Sequence, residues 1–282
     1  MREVSGKTDI LGIIGNPIEH TLSPLIHNTI AEIDGHDTVY IPFHIKNETL
    51  EVGVKGAHGL GVRGMNVTVP YKKEVMKVIS DIDDTAKAIG AVNTLVYEEN
   101  GFKGYNTDAY GFSRELKENG IDVDSKDVII VGAGGATNAV VNALLSMGAA
   151  KIYMLNRSTE KAKAAFGSIP EVEVYALSEW DKIPAGKYFC AQCTSVGLAP
   201  NYDESPIMDE GFFDLVDSVV DIIYRPAETK FMKLAKEHGA RVFNGLDMLL
   251  YQAIESYRLF TGHEVSEKAI DEARRRLLKA LN

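Results

Sequence analysis

What this chain has little of narrows its class before any motif is read. Its 282 residues hold only two cysteines and no excess of basic charge. Nor is there an uninterrupted apolar run near the ~18 residues that a membrane-spanning helix requires. Cys190 and Cys193 show a C-x-x-C spacing that invites a redox or zinc reading. No second ligand pair lies nearby, and a redox pair sits at a helix start, whereas Tyr188–Gln192 reads as a strand. Residues three apart on a strand point to opposite faces, so the expectation is two reduced thiols in and beside a buried strand. The seven histidines show no H-x-x-x-H spacing, and no metal site is expected. A formal charge of −10, spread along the chain, argues against a nucleic-acid surface and leaves no basic amphipathic segment for a membrane. Met1–Asp9 is polar and has no signal-peptide core. The expected partner is a small molecule, the expected compartment the cytoplasm, and the expected assembly a monomer or homodimer.

What is present is ordinary globular material, 45% apolar, in a chain long enough for two domains at a prior of about 150 residues each. Up to about Asn106 strand and helix patterns alternate: strand Ile10–Ile14, helix Pro24–Ile33, strand Thr38–Phe43, helix Glu48–Ala57, strand Val62–Val67, helix Lys72–Ile79. Alternation of this kind predicts an α/β unit with a mostly parallel sheet and helices on its faces. Ser23-Pro24 reads as a capping hydroxyl with proline at the first helical position. Thr94–Tyr97 and Phe102–Tyr105 flank Asn100-Gly101 as a hairpin. Helix Asp108–Glu118, with Thr107 as its cap, leads into a second alternating unit with strands Val128–Val131, Lys151–Leu155, Glu171–Tyr175, Tyr188–Gln192, Val219–Ile222 and Ala240–Phe243. After Gly245 the chain is helical, Leu246–Phe260 and Ser266–Leu281, and these helices are expected to pack back onto the first unit.

The stretch Val128–Thr137, V-I-I-V-G-A-G-G-A-T, runs an apolar strand into a glycine-rich turn. Thr137 stands where the third glycine of G-x-G-x-x-G would be, so the context carries the reading: a strand before, helix Ala136–Met147 after. Gly132, Gly134 and Gly135, with Ala133 and Ala136 between and after them, let the backbone approach a pyrophosphate at a helix amino end. About 20 residues on, where an NAD enzyme places an acid for the ribose hydroxyls, stand neutral Asn156 and cationic Arg157, which favours NADP. Ser158 and Lys161 extend a phosphate cradle, although Ser158 equally serves as a helix N-cap. Without the glycines, Arg157 would read as a surface arginine.

Polar residues cluster at strand ends as Thr21/Ser23, Asn66/Thr68/Lys72, Asn93/Thr94 and Asn106/Thr107/Asp108, with Gln252 on a late helix; strand-end loops are where substrate groups are held. Lys72, beside Lys73 at an expected helix start, is a cation where the dipole disfavours one, a hint of function. Facing Lys72, Asp108 would complete a proton-transfer pair; alone it reads as a first-turn acid.

Five runs then carry a resemblance: Gly15-Asn16-Pro17-Ile18-Glu19-His20-Thr21-Leu22-Ser23-Pro24-Leu25-Ile26-His27-Asn28, Asn66-Val67-Thr68-Val69-Pro70-Tyr71-Lys72, Gly90-Ala91-Val92-Asn93-Thr94, Gly104-Tyr105-Asn106-Thr107-Asp108 and Tyr251-Gln252-Ala253. In order and spacing, along nearly the whole chain, they resemble the shikimate dehydrogenase family. The resemblance implies a reversible NADP-linked reduction of 3-dehydroshikimate to shikimate in aromatic amino acid biosynthesis. It implies a discontinuous substrate domain, residues 1–107 plus 245–282, and an NADP-binding Rossmann domain, residues 108–244. Carried over by motif, Thr21 and Ser23 bind the substrate carboxylate with help from Tyr224. Thr68, Lys72, Asn93, Asp108 and Gln252 hold ring hydroxyls, and Lys72 with Asp108 is the catalytic pair. Thr194 belongs to a cofactor loop, and Gly245 and Met248 lie by the nicotinamide, although Met248 reads equally as core packing.

The chain departs from the family pattern at several positions. Thr21 replaces a usual serine and adds a methyl beside the carboxylate site, which bears on the choice among shikimate-like acids. Gln192-Cys193 opens the cofactor loop in place of asparagine and a small residue. Arg225 stands for asparagine and Asp247 for glycine. Two other readings stay open: a quinate/shikimate dehydrogenase with relaxed substrate or cofactor use, opposed by Asn156-Arg157-Ser158, and a non-catalytic NADP-binding sensor, opposed by the retention of Lys72 and Asp108.

Overall fold

The computed structural model describes residues 4–281; the first three residues of the polar stretch Met1–Asp9 lie outside the described residues. The chain divides into two compact α/β units, one taking in the chain up to Gly111 and again Leu250–Ala280, the other Phe112–Leu249. The expected boundaries at 107/108 and 244/245 are thus displaced by a few residues. Each crossing falls inside a helix, where no composition break marks it.

In the first unit, strands β1 (Asp9–Gly15), β2 (Thr38–His44), β3 (Gly64–Val67), β4 (Asp81–Ile82), β5 (Thr94–Glu98) and β6 (Gly101–Tyr105) form one sheet in the order β2-β1-β3-β5-β6-β4. β2, β1 and β3 run parallel, and the β5–β6 hairpin adds the antiparallel part. Helices α1 (Ser23–Asp34), α2 (Leu50–Gly59) and α3 (Asp84–Ile89) belong to this unit. Ile14, Met65, Val67, Tyr71, Val75, Val92, Leu95 and Phe102 make its core.

The second unit is a fully parallel sheet, β7 (Asp127–Val131), β8 (Lys151–Asn156), β9 (Val172–Ala176), β10 (Tyr188–Gln192), β11 (Val216–Asp221) and β12 (Arg241–Asn244), ordered β12-β11-β10-β7-β8-β9. The order reverses between β7 and β10, the topological switch point at which such sheets bind ligands. Helix α4 (Asp108–Glu118) leads in, and α5 (Thr137–Ser146), α6 (Thr159–Phe166), α7 (Glu210–Phe213) and α8 (Lys230–Glu237) follow. Helices α9 (Leu246–Thr261) and α10 (Glu267–Leu281) return the chain to the first unit. There the Tyr257 hydroxyl bonds His36 Nδ1 at 2.9 Å, Arg276 pairs with Glu32 at 2.8 Å, and Phe260 fills space that a side chain at position 64 would take.

Three local expectations change. Lys72–Ile79 is not a helix: a turn is followed by a short 3-10 segment, Glu74–Lys77, because Ser80 N–H is drawn to Phe102 C=O and Asp81–Ile82 joins the sheet beside β6. Ser23 makes no cap; its hydroxyl accepts from Thr21, and Leu22 is the residue flanking α1. Asn106, rather than Thr107, offers the side-chain oxygen at the start of α4, accepting from Asp108 N–H at 3.1 Å and Ala109 N–H at 3.4 Å.

His27 of α1 is enclosed in the first unit, its ring stacked on Tyr40 at 4.1 Å and 2°. Burial pushes its pKa down to about 3, against a smaller opposing pull from Asn66. The unfolded chain takes up this proton near pH 6.5 and the folded chain refuses it until about 3, so stability is full above that window and is lost as pH falls through it. Replacing His27 by Phe keeps the stack and removes the proton. Urea unfolding of wild type and His27→Phe at pH 7 and pH 4.5 should therefore show wild type losing about 2–3 kcal/mol more than the variant. Equal losses would mean that His27 charges without cost.

Candidate active site

The first unit's site is built where β1 and β3 end side by side. Thr68 N–H bonds Ile14 C=O at 3.0 Å and Asn16 N–H bonds Val69 C=O at 3.1 Å, so the two following loops run together. Gly15 permits this: a Cβ there would lie 2.5 Å from the Thr68 methyl. The β1 loop leads to the paired hydroxyls of Thr21 and Ser23, 3.2 Å apart, Ser23 buried and Thr21 half-buried. The β3 loop leads to Lys72, whose backbone is held by a bond from Val92 N–H to its C=O at 2.8 Å and by buried Tyr71, whose hydroxyl donates to Ile45 C=O at 2.7 Å. Lys72 therefore projects from a pinned turn and not from a helix start, and the unfavourable dipole expected there does not arise.

Lys72 Nζ lies 2.5 Å from Asp108 Oδ2, with the two side chains 27% and 13% exposed. Asn93 Nδ2 donates to the other carboxylate oxygen at 2.9 Å. Nζ thus reaches solvent while the carboxylate is held from both sides, an arrangement that can orient an ammonium and pass a proton at Nζ. Below it lies a buried polar layer, Asn66, Thr94, Thr107 and Ser256, linked to Asn93 by bonds of 2.8–3.2 Å. Gln252 lies one turn before Ser256 on α9 and accepts the Ser256 hydroxyl at its carbonyl at 2.9 Å. The structure brings Lys72, Asn93 and Asp108 together, and joins Thr21 to Ser23. Ser256 escaped the sequence reading; its one signal is a position four residues after Gln252, on the same helical face.

The second unit holds the remaining candidates. Gly132 adopts a φ of +104°, and a Cβ there would lie 2.6 Å from the Thr194 methyl, so only glycine lets the β7 and β10 loops approach this closely. Asn156 Oδ1 accepts Ala133 N–H at 3.1 Å and its amide donates to Ser158 C=O at 2.8 Å, bracing the glycine turn against the end of β8. The chain then enters α5, whose first turn carries no acid. A pyrophosphate fits this end: the backbone N–H groups of a glycine-rich turn, no acid in the first turn of α5, and the positive end of the helix. Ser158 caps α6, accepting from Lys161 N–H at 3.3 Å. Arg157 and Lys161 are exposed at the same strand end.

Gln192 is buried, its amide donating to Asp221 at 3.2 Å while its carbonyl accepts Thr194 N–H. The longer side chain thereby ties the ends of β10 and β11 and sets the turn into the Thr194 loop. Asp221 also accepts the Thr229 hydroxyl at 2.6 Å, yet burial still raises its pKa to about 6. Cys190 and Cys193 are free, buried thiols, each pushed up by burial. Gly245 packs against the Ile222 backbone, where a Cβ would sit 2.2 Å from its carbonyl oxygen. Met248 is buried, and burial raises the half-buried Tyr224 phenol. Arg225 is exposed and Asp247 half-buried in the first turn of α9. Among the described residues no cluster of acids, histidines or cysteines is placed to hold a metal, and no helix is long and apolar enough to cross a membrane.

With this geometry in view, the chain matches the family models described as shikimate dehydrogenase substrate binding domain over residues 13–95, shikimate / quinate 5-dehydrogenase over residues 114–186, and shikimate 5'-dehydrogenase C-terminal domain over residues 245–273. It is 38% identical over 288 residues to a shikimate dehydrogenase (NADP(+)) of Moorella thermoacetica, covering 99% of this chain and 97% of that one. A chorismate mutase/shikimate 5-dehydrogenase fusion protein from Clostridium acetobutylicum superposes with a TM-score of 0.91 at 35% identity, covering 97% and 98%. Shikimate 5-dehydrogenase from Thermus thermophilus, solved with NADP(H) and shikimate, gives 0.83 at 31% identity, covering 95% and 99%. Two α/β units, a glycine-rich turn at the switch point of one and a lysine–carboxylate pair in the other agree with these likenesses along the whole length, and the chain belongs to the shikimate dehydrogenase family.

Proposed function

We propose that this chain interconverts 3-dehydroshikimate and shikimate with NADP, a step toward chorismate and the aromatic amino acids, in the cytoplasm. The observation that carries the reading is the Lys72–Asp108 contact of 2.5 Å, with Asn93 on the second carboxylate oxygen. When bound, NADP supplies the hydride donor or acceptor at its nicotinamide. Lys72 moves the matching proton: in reduction its ammonium protonates the oxygen of the carbonyl being reduced, and in oxidation its Nζ takes the hydroxyl proton. Asp108 holds Nζ in place through the ion pair. Thr21 and Ser23, with Tyr224, receive the substrate carboxylate through hydroxyls, and Thr68, Asn93 and Gln252 receive ring hydroxyls.

For the cofactor, Gly132–Ala136 take the pyrophosphate, and Arg157 with Ser158 and Lys161 takes the 2′-phosphate. Thr194, Gly245 and Met248 serve the nicotinamide end. A sensor without activity has no use for an exposed Nζ held against an otherwise buried carboxylate. The first unit is accordingly read as the substrate domain and the second as the NADP domain.

The reading is tested by following reduced-nicotinamide absorbance with shikimate or quinate against NADP or NAD. Turnover should be fastest with shikimate and NADP; comparable quinate or NAD turnover would assign the relaxed quinate/shikimate activity instead. Lys72→Ala should lower kcat by roughly two to four orders of magnitude with little change in NADP affinity, and near-normal turnover would remove Lys72 from the chemistry. Arg157→Leu should raise the KM for NADP by about tenfold or more and leave that for NAD nearly unchanged, since a charge-assisted phosphate contact is lost. Equal effects on both cofactors would place the 2′-phosphate elsewhere.

A further inference from the structure

A chain of hydrogen bonds runs through the buried layer beneath Asp108 and reaches the Gln252 carbonyl by way of Ser256. Burial holds the Tyr40 phenol protonated, so its hydroxyl donates to Asn66 Oδ1 at 2.7 Å. That bond fixes the Asn66 amide, whose Nδ2 faces Ser256 Oγ at 2.9 Å and Asn93 C=O at 3.1 Å. Asn93 Oδ1 accepts Thr107 N–H at 2.8 Å and the Thr94 hydroxyl at 2.8 Å. Its Nδ2 is thereby turned to Asp108 Oδ1 at 2.9 Å and Thr107 Oγ1 at 3.0 Å. For Thr107 to accept that bond, its own proton must leave by another route, and Ser256 Oγ stands 2.9 Å away. Ser256 passes its single proton to Gln252 C=O at 2.9 Å. Every amide and hydroxyl proton then has an acceptor, while Thr94 Oγ1 also stands 3.0 Å from Ser256 Oγ and 3.2 Å from Thr107 Oγ1.

Take the Ser256 hydroxyl away and Thr107 has a competing acceptor, Asn93 Oδ1 at 3.2 Å. Using it turns the Thr107 hydroxyl onto the Asn93 oxygen and away from its place as acceptor of an Asn93 amide proton. We propose that Ser256 is a positioning residue for the catalytic pair: by accepting the Thr107 proton it leaves Thr107 Oγ1 to accept from the Asn93 amide that holds Asp108. Nothing in the reaction touches Ser256, which is fully buried on α9. The inference rests on the reading of Lys72 and Asp108 as that pair.

The test measures kcat, the KM for shikimate and the KM for NADP in Ser256→Ala, Ser256→Thr, Thr107→Val and the double variant Ser256→Ala/Thr107→Val, with thermal midpoints alongside. Ser256→Ala should lower kcat about tenfold and leave the KM for NADP unchanged, the loss expected of one buried hydrogen bond. Ser256→Thr, which restores the hydroxyl, should recover most of it. Thr107→Val should cost about as much as Ser256→Ala, and the double variant no more than either, because both remove the same contact. Wild-type kcat in Ser256→Ala, or losses that multiply in the double variant, would overturn the positioning role. Should the added methyl prevent Ser256→Thr from folding, the cycle with Thr107→Val decides alone. Asp108→Asn serves as the control on the premise: near-normal turnover there would overturn the pair itself, whereas a loss there with full-speed Ser256→Ala overturns the positioning role only.

Discussion

A carboxylate shielded from water on most sides is the constraint around which the first unit is organised. Asp108 is 13% exposed at its side chain, and such a group is tolerated only where a cation and hydrogen-bond donors offset its lost hydration. Lys72 supplies the cation and Asn93 one donor. Asn93 is itself buried, so its second amide proton and its oxygen need partners, and the need propagates through Thr107, Thr94, Asn66 and Ser256. The polar layer is the consequence of one charge placed where chemistry requires it, and a partly satisfied version would cost more than an apolar one.

The second unit solves a different problem, bringing the loops after β7 and β10 close together. Gly132 supplies the unusual φ, Asn156 braces the turn, and Gln192 anchors the Thr194 loop to Asp221. The substitution of glutamine at the loop's first position is accounted for by its reach to that carboxylate. Nothing in the structure explains Arg225. Thr21 retains the hydroxyl contact with Ser23, so its extra methyl alters the shape and not the hydrogen-bonding capacity of that end.

The strands and the glycine turn were legible because they depend on local signals: apolar runs four to six residues long, bounded by Gly and Asn. Lys72–Ile79 misled for the opposite reason. Its apolar spacing suits a helix, but a long-range bond from Ser80 to Phe102 and the pairing of Asp81 with Lys103 draw the chain just after it into the sheet. Helix α3 was overlooked although Asp83 caps it at 2.9 Å and Gly90 closes it at a φ of +70°, a signature short enough to be lost between neighbours. Lys72 and Asp108 are legible as motif but their contact is not, since tertiary structure brings the two together. Ser256 lies farther still, bonding Asn66 across 190 positions of sequence, and no periodicity announces a hydroxyl whose partners are so remote.

The second unit is one continuous stretch, Phe112–Leu249, whereas the first waits on Leu250–Ala280 for Ser256, Tyr257 and Phe260. As the chain emerges from the ribosome, the nucleotide-type unit has all its strands before the unit that begins earlier in sequence has its last helices. Until then Asn66, Thr94 and Thr107 lack the hydroxyl that completes their layer, and His27 lacks Tyr257 and Phe260 beside its ring. The order of synthesis and the order of completion are therefore reversed. The first sheet has all its strands by then, but it must wait without the helices that close its core while the inserted unit finishes, and transiently exposed apolar surface of this kind favours aggregation.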